Sequence, residues 1–277
     1  MKTLNKLGAY VFLSIAALIS IFPFFWMIVS STNPSVDITR GRMLPGSYLI
    51  ENFRNLMDQV DFGTAFLNSV EISVLTTVFA LVVASLAGYG FEIHRSKSKD
   101  IVFGILLGSM MVPFVALLIP LFRLFANISG LPVIGSIMGV NTTLGVVLPT
   151  FATAFLIFFF RQSTKMFPKE IIEAGRIDGL GELGIFFRIF VPTMKTTYAA
   201  AGIIVFMTSW NAFMWPLVII GTPNNRTLPL LLSILSSSYA PDFGIMMLAT
   251  VLATLPTAVV FFVLQKHFVA GMMGSVK

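Results

Sequence analysis

The sequence predicts an all-α membrane protein, with six transmembrane helices and a short polar helix between spans four and five. Three observations carry this. Hydrophobic residues make up 56% of the chain and charged residues 11%, against about 25% charged in a soluble domain. The apolar runs are about 20 residues long and lack strand alternation, which favours self-satisfied helices over a closed barrel. Charge is also concentrated: ten of the 30 charged side chains fall in the 35 residues from Arg161 to Lys195.

Gly8–Ser30 is the first span. It follows Lys2 and Lys6, its apolar stretch outlasts a signal-peptide core, and no small-x-small cleavage site follows, so it reads as uncleaved. Phe66–Phe91 is the second. Ile101–Phe125, interrupted by Pro113 and Pro120, is the third, and Thr143–Phe160, with Pro149, the fourth. Tyr198–Ile220 ends in Trp215-Pro216 and is the fifth; Gly244–Gln265, with Pro256, is the sixth. They form a single membrane domain over residues 1–277, with no internal repeat. Ser31–Ala65 is long and polar, with an amphipathic element around Ile50–Val60. Ala126–Thr142 carries no charge and is expected along the interface. The absence of cysteine excludes disulfide scaffolds and thiolate chemistry. The pI near 9.7 does not argue for nucleic acid, because the basic residues flank apolar runs.

Lys/Arg placement sets the orientation. With the N-terminus inside, 13 Lys/Arg lie on inside segments and four (Arg40, Arg42, Arg54, Arg226) on outside loops, with Arg123 near the outer end of span three. That puts both termini and the polar island in the cytoplasm.

Within the island, Pro168 suits a first helical turn, and Glu170 and Glu173 suit the positive end of the helix dipole. Glu173 and Arg176 are spaced to pair along the helix. Ala174, Gly175 and Gly179 leave a shallow groove for another backbone. Gly179 and Gly181 then break the helix. Glu182–Phe190 resumes as an amphipathic stretch with Phe186, Phe187, Ile189 and Phe190 toward the membrane, and Pro192 ends it. On composition alone, a solvated loop with a surface helix competes with a docking element.

Glu173-Ala174-Gly175-x-x-Asp178-Gly179, followed by Phe186, Ile189 and Pro192, resembles the EAA motif of the membrane subunits of binding-protein-dependent ABC importers. Gly175 stands where a third Ala is usual, Val191 for a Leu, and Thr196 where a Pro is often found. Asn68-Ser69, Met111-Val112-Pro113 to Ile119-Pro120-Leu121, Trp210-Asn211-x-Phe213-x-Trp215-Pro216 and the tail Gly271-x-x-Gly274-Ser275-Val276-Lys277 look like the carbohydrate branch. The chain is similar to the smaller, six-span subunit of the maltose-type permease pair. Ala212 departs from the Glu that many relatives carry.

The resemblance implies a sugar (oligosaccharide) importer in a bacterial or archaeal cytoplasmic membrane. The segment between spans four and five becomes a coupling helix seated in a cleft of a cytoplasmic ATPase dimer. Its expected ATPase-coupling residues are Glu173, Ala174, Gly175, Asp178 and Gly179, with Gly274 and Lys277 of the tail as secondary contacts. Trp210, Asn211 and Ser209 are substrate-path candidates, because aromatic faces and amides suit sugar rings, although span hydroxyls also glue helices together. Asn224, Asn225 and Arg226 are candidates for touching an extracytoplasmic sugar-binding protein. A second homologous permease and membrane lipid complete the partners. This chain carries no Gly-x-x-x-x-Gly-Lys-Ser/Thr loop, so no bound cofactor is expected. ATP and Mg belong to the separate ATPase subunit.

Other classes compete. A secondary transporter buries ionisable groups at the membrane midplane, and the spans offer none there. An intramembrane enzyme needs a nucleophile, a metal site or paired acids. His94 and His267 both fall at cytoplasmic ends without a His-Glu-x-x-His arrangement, so no catalytic or metal residue is expected. A permease for a non-sugar solute is the remaining alternative.

Overall fold

A computed structural model describes the backbone of residues 2–273 and the side chains of residue 6 and residues 8–265. Every regular element among the described residues is helical. In chain order these are α1 (Lys2–Ser30), α2 (Ser35–Thr39), α3 (Leu49–Gln59), α4 (Phe62–Ile93), α5 (Lys97–Ser109), α6 (Phe114–Ser129), α7 (Ile134–Met138), α8 (Thr143–Phe151) and α9 (Ala154–Lys165). Then come α10 (Lys169–Ile177), α11 (Glu182–Ile185), a π-helical turn (Phe186–Phe190), α12 (Val191–Thr193), α13 (Lys195–Trp210), α14 (Met214–Ile219), a 3-10 turn (Pro223–Asn225), α15 (Leu228–Ser236) and α16 (Phe243–Met273). The chain divides into two compact units. One holds the residues up to Gly63 with Leu230–Pro256; the other holds Thr64–Pro229 with the residues from Thr257.

Three helices, α1, α4 and α16, are long and apolar enough to cross a membrane unbroken, and three bent pairs bring the total to as many as six. The expected third span is not one continuous helix. It breaks between α5 and α6 with a 101° bend, because the residue before a proline is pushed out of the α region and Pro113 has no N–H to donate. Pro120, by contrast, lies inside α6. The fourth span bends by 47° between α8 and α9. The expected fifth span also departs from a single helix: α13 stops at Trp210, and α14 restarts at Met214. The restart puts Pro216 in a first turn, where its missing donor costs nothing.

In the first unit a polar knot ties loop to helix. Asn33 Nδ2 donates to the carbonyls of Val29 (2.9 Å) and Leu44 (3.0 Å). Asn52 Nδ2, on the expected amphipathic element, donates to those of Ser31 (2.9 Å) and Asn33 (3.1 Å). Asp242 caps α16 by accepting from the amides of Gly244 and Ile245, and it also accepts from Ser35 Oγ at 2.7 Å. A Cβ on Gly244 would stand 2.8 Å from the Asn33 carbonyl oxygen, so only glycine permits that approach.

In the second unit α4 crosses α9 closely. A Cβ on Gly88 would stand 2.7 Å from the Arg161 backbone nitrogen, the kind of approach that small residues allow between spans. Beside this crossing Arg161 is buried, not solvated as its place at the head of the island suggests. Its Nε donates to the buried Glu92 carboxylate at 3.2 Å, a second nitrogen reaches Asp100, and its guanidinium lies 4.1 Å from the Phe103 ring centroid. Asp100 also accepts from Arg95 at 3.0 Å. Two cations and two carboxylates therefore join the adjoining ends of α4, α5 and α9. Removing one partner of a buried pair costs about 3–5 kcal/mol, because the other charge is left uncompensated. Arg161→Ala is accordingly expected to lower the stability of the purified protein by that amount, and Arg161→Lys by less; thermal unfolding in detergent checks both.

Candidate functional site

The island folds as a short helix stood off the chain by one face. Along α10, Ile172 and Gly175 are buried, while Glu173, Ala174, Arg176, Asp178 and Gly179 are exposed. Ile177 is 87% exposed, a bare aliphatic side chain among charges. The helix ends in a Schellman motif: the Leu180 amide donates to the Gly175 carbonyl (3.0 Å) and the Gly179 amide to that of Arg176 (3.1 Å). Gly179 sits at φ +77° with open space around its missing Cβ, so its requirement for glycine comes from the backbone and not from crowding.

Gly175 lies elsewhere than the groove reading expects. A Cβ there would stand 2.8 Å from Ile189 Cδ1 and 3.3 Å from Ile185 Cγ1. The small residue admits the chain's own isoleucines, because the buried face of α10 is the one it belongs to. That face rests on a buried cluster of Tyr89, Phe167, Ile172, Ile185, Phe186 and Phe190. Phe190 is the hub: its ring lies 5.0 Å from Tyr89, 5.3 Å from Phe167 and 5.6 Å from Phe186, and each such pair adds about 0.5–1.5 kcal/mol beyond burial. Phe186 and Phe190 thus face α4 and α10 and not the lipid; of the four apolar residues expected on the membrane side, Phe187 alone is exposed. Pro192 does not end the helix either. The π-helical turn, closed by the Val191 amide on the Phe186 carbonyl, leads into α12, which contains Pro192.

The expected Glu173–Arg176 pair is replaced by Arg176–Glu182, with Nε donating to Oε1 at 2.8 Å. The other carboxylate oxygen of Glu182 lies 3.1 Å from His94 Nε2 and 3.4 Å from the Tyr89 hydroxyl. The Arg176 hydrogen bond holds the Glu182 carboxyl below the usual carboxylate range. Glu182 had no role in the sequence reading, and no helical spacing rule pairs residues six apart.

In the fifth span the candidates part company. Ser209 and Ala212 line an open cavity of about 280 Å³ with Thr76, Thr150, Thr208 and Trp215. Trp210 is not among its lining residues; it is buried, stacked on Phe206 and edge-on to Phe66. Asn211 Nδ2 turns back to the Met207 carbonyl at 2.7 Å. The cavity is mainly aliphatic. Thr150 and Thr208 donate their hydroxyls to their own helices and keep lone pairs free. Thr76 Oγ1 is buried with no hydrogen-bond partner among the described residues.

The Asn224–Arg226 loop is pinned from two sides. Asn68 Nδ2 donates to the carbonyls of Asn224 (2.7 Å) and Arg226 (3.0 Å). Asn225 Nδ2 donates to the Asn141 carbonyl at 2.6 Å, and Asn141 Oδ1 accepts from the amides of Gly221 and Thr222. Asn224 is the exposed side chain of the three; Asn225 and Arg226 are half-buried. Gly274 and Lys277 lie outside the described residues.

These features define a class: a polytopic helical membrane protein that holds a glycine-terminated helix on an aromatic seat between two spans. Residues 80–274 match the family model described as "Binding-protein-dependent transport system inner membrane component". The chain is 47% identical over 276 residues to the lactose transport system permease protein LacG of Rhizobium radiobacter, covering 100% of this chain and 98% of that protein. It is 34% identical to the arabinooligosaccharides transport system permease protein AraQ of Bacillus subtilis (strain 168), covering 98% and 96%. Its fold matches a chain in the crystal structure of a bacterial ABC transporter involved in the import of the acidic polysaccharide alginate, with TM-score 0.82, 20% identity and coverage of 96% and 97%. The chain belongs to the family of binding-protein-dependent transport system inner membrane components.

Substitutions at two glycines separate packing from backbone on α10. Gly175→Ala is expected to change stability by less than about 1 kcal/mol, because the tip of Ile189 can yield and alanine favours the helix; Gly175→Val is expected to lift α10 from its seat. Gly179→Ala is expected to cost about 1–2 kcal/mol, the penalty of a left-handed conformation for a residue with a Cβ, and Gly179→Asn less. Thermal unfolding of the four variants beside the wild type checks the pattern.

Proposed function

We propose that this chain is one permease subunit of an ATP-driven importer of a small oligosaccharide, forming half of the translocation path with a second, homologous permease. The exposed face of α10 carries the reading. Glu173, Ala174, Ile177 and Asp178 turn away from the chain, and the opposite face is locked to α4 through Phe190 and Tyr89. A helix so divided acts as a lever: one side for a partner, the other for the spans. The partner is an ATPase dimer that binds ATP and Mg on the cytoplasmic side, where Lys/Arg placement also puts both termini. Gly175 serves this contact indirectly, by letting α10 sit close to α11, and Gly274 and Lys277 remain secondary contacts. Similarity to the lactose and arabinooligosaccharide permeases supports a saccharide cargo.

On the substrate side, Ser209 with Thr208 and Thr150 offers hydroxyl acceptors to a sugar, beside the indole of Trp215. Trp210, packed on Phe206 and Phe66, and Asn211, turned back to Met207, stand beside this wall in sequence and do not line it. An external sugar-binding protein meets Asn224, with Asn225 and Arg226 shaping the loop beneath it. Reconstitution with the second permease, the ATPase and the binding protein tests the whole reading: ATP-dependent uptake of lactose supports it, and uptake of glycerol 3-phosphate to the exclusion of saccharides overturns the cargo. In the same vesicles Gly179→Val is expected to leave ATP hydrolysis running while uptake falls at least about tenfold, the consequence of roughly 1.4 kcal/mol of lost coupling. Uptake at the wild-type rate would contradict the role given to α10.

A further inference from the structure

We infer that Glu182 is a positioning residue that pins the joint between α10 and α11 and so fixes the angle at which α10 is presented. The inference rests on the lever role proposed for α10. Its warrant is the geometry of the joint. Gly179 and Gly181 lie between the two helices, and neither has any atom within 4 Å of the place a Cβ would occupy. Two unencumbered glycines, four and six residues after Gly175, the last buried position of α10, leave the link between the helices room to reorient. The Schellman bonds close α10 and Gly175 packs on Ile185 and Ile189, but both act on the seated face; the exposed end of the joint is held by side chains.

Glu182 stands just past the joint and reaches both sides of it. One carboxylate oxygen takes Arg176 Nε from the last turn of α10 at 2.8 Å. The other lies 3.1 Å from His94 Nε2 and 3.4 Å from the Tyr89 hydroxyl, both belonging to the end of α4 and the turn after it. Tyr89 is itself buried against Phe186 and Phe190, so the carboxylate is anchored to the same ring that seats α10. One anion therefore joins the lever, the joint and the second span. The group is about two-fifths exposed (43%), and pairs of this kind add little to global stability. What such a link supplies is direction. Glu182 is thus separated from the buried Arg161 network, whose loss is felt as unfolding.

The assembled complex in proteoliposomes provides the test, with Glu182→Ala, Glu182→Gln and Arg176→Ala beside the wild type. The chain has no cysteine, so spin labels introduced at the exposed Glu170 and Val82, with cysteine-free partner subunits, report the α10–α4 distance. A pinned joint gives a narrow wild-type distribution, a broad one for Glu182→Ala and Arg176→Ala, and an intermediate one for Glu182→Gln, which keeps the shape and one acceptor. In the same vesicles ATP hydrolysed per lactose taken up is expected to rise roughly fivefold for Glu182→Ala, the lower end of ordinary coupling energies, with the ATPase still co-purifying and the melting temperature unchanged. The Arg176→Ala/Glu182→Ala double variant is expected to be no worse than either single one. A narrow distance distribution for Glu182→Ala overturns the inference whether or not lactose is carried. So does loss of the ATPase from that variant, which would make Glu182 a contact and not a pin. If Gly179→Val uncouples and Glu182→Ala does not, the pin fails and the lever stands; if both couple normally, the lever reading itself fails.

Discussion

The ring of Phe190 against Tyr89 is the contact on which the polar end of this molecule depends. It joins an element outside the spans to the longest span, α4, at a centroid distance of 5.0 Å. Around it gather Phe167, Phe186, Ile172 and Ile185, all buried. A nine-residue helix is too short to be stable alone in water, so α10 owes its existence to this seat. Everything proposed about force transmission follows from that dependence. Because packed cores move as units and do not deform continuously, a displacement applied to α10 has to pass into α4.

The two polar devices near this seat differ in kind. Arg161, Glu92 and Asp100 sit between three helices, where a charge left alone is costly; their work is to hold α4, α5 and α9 together. Glu182 stands half in solvent, where an ion pair adds little to stability. Its value lies in tying the exposed end of α10 to α4, beyond what the Schellman bonds and the Gly175 packing fix on the seated face. The contrast explains why one network should report in unfolding experiments and the other in coupling.

Much of this was legible in the sequence, for identifiable reasons. Hydropathy and length located the spans, since lipid forces backbone satisfaction within each helix. The residue pattern from Glu173 to Gly179 located α10 and its glycine terminus. What stayed hidden depended on distant partners. Arg161 heads a run of charges and reads as solvated; only the approach of α4 over Gly88 buries it. Gly175 reads as an outward groove until Ile185 and Ile189, ten and fourteen residues on, fold back against it. Trp210 reads as a substrate-path residue, yet it packs on Phe206 and Phe66, and Trp215, past the break at Asn211–Phe213, is the tryptophan that lines the cavity. The prolines announce breaks but not their angles: Pro113 accompanies a 101° bend, whereas Pro120 lies within a helix.

The account's central claim is that the exposed face of α10, and not its seated face, meets the ATPase. The natural absence of cysteine makes the direct measurement simple. Single cysteines at Ala174, Ile177 and Ile172 would be labelled with benzophenone-4-maleimide, whose photoreactive ketone inserts into a neighbouring C–H bond, and irradiated in membranes containing the whole complex, with and without ATP. The account predicts cross-links to the ATPase subunit from Ala174→Cys and Ile177→Cys, with yields that change on ATP binding, and none from the buried Ile172→Cys. Absence of cross-links at both exposed positions in an assembled, transporting complex would contradict it.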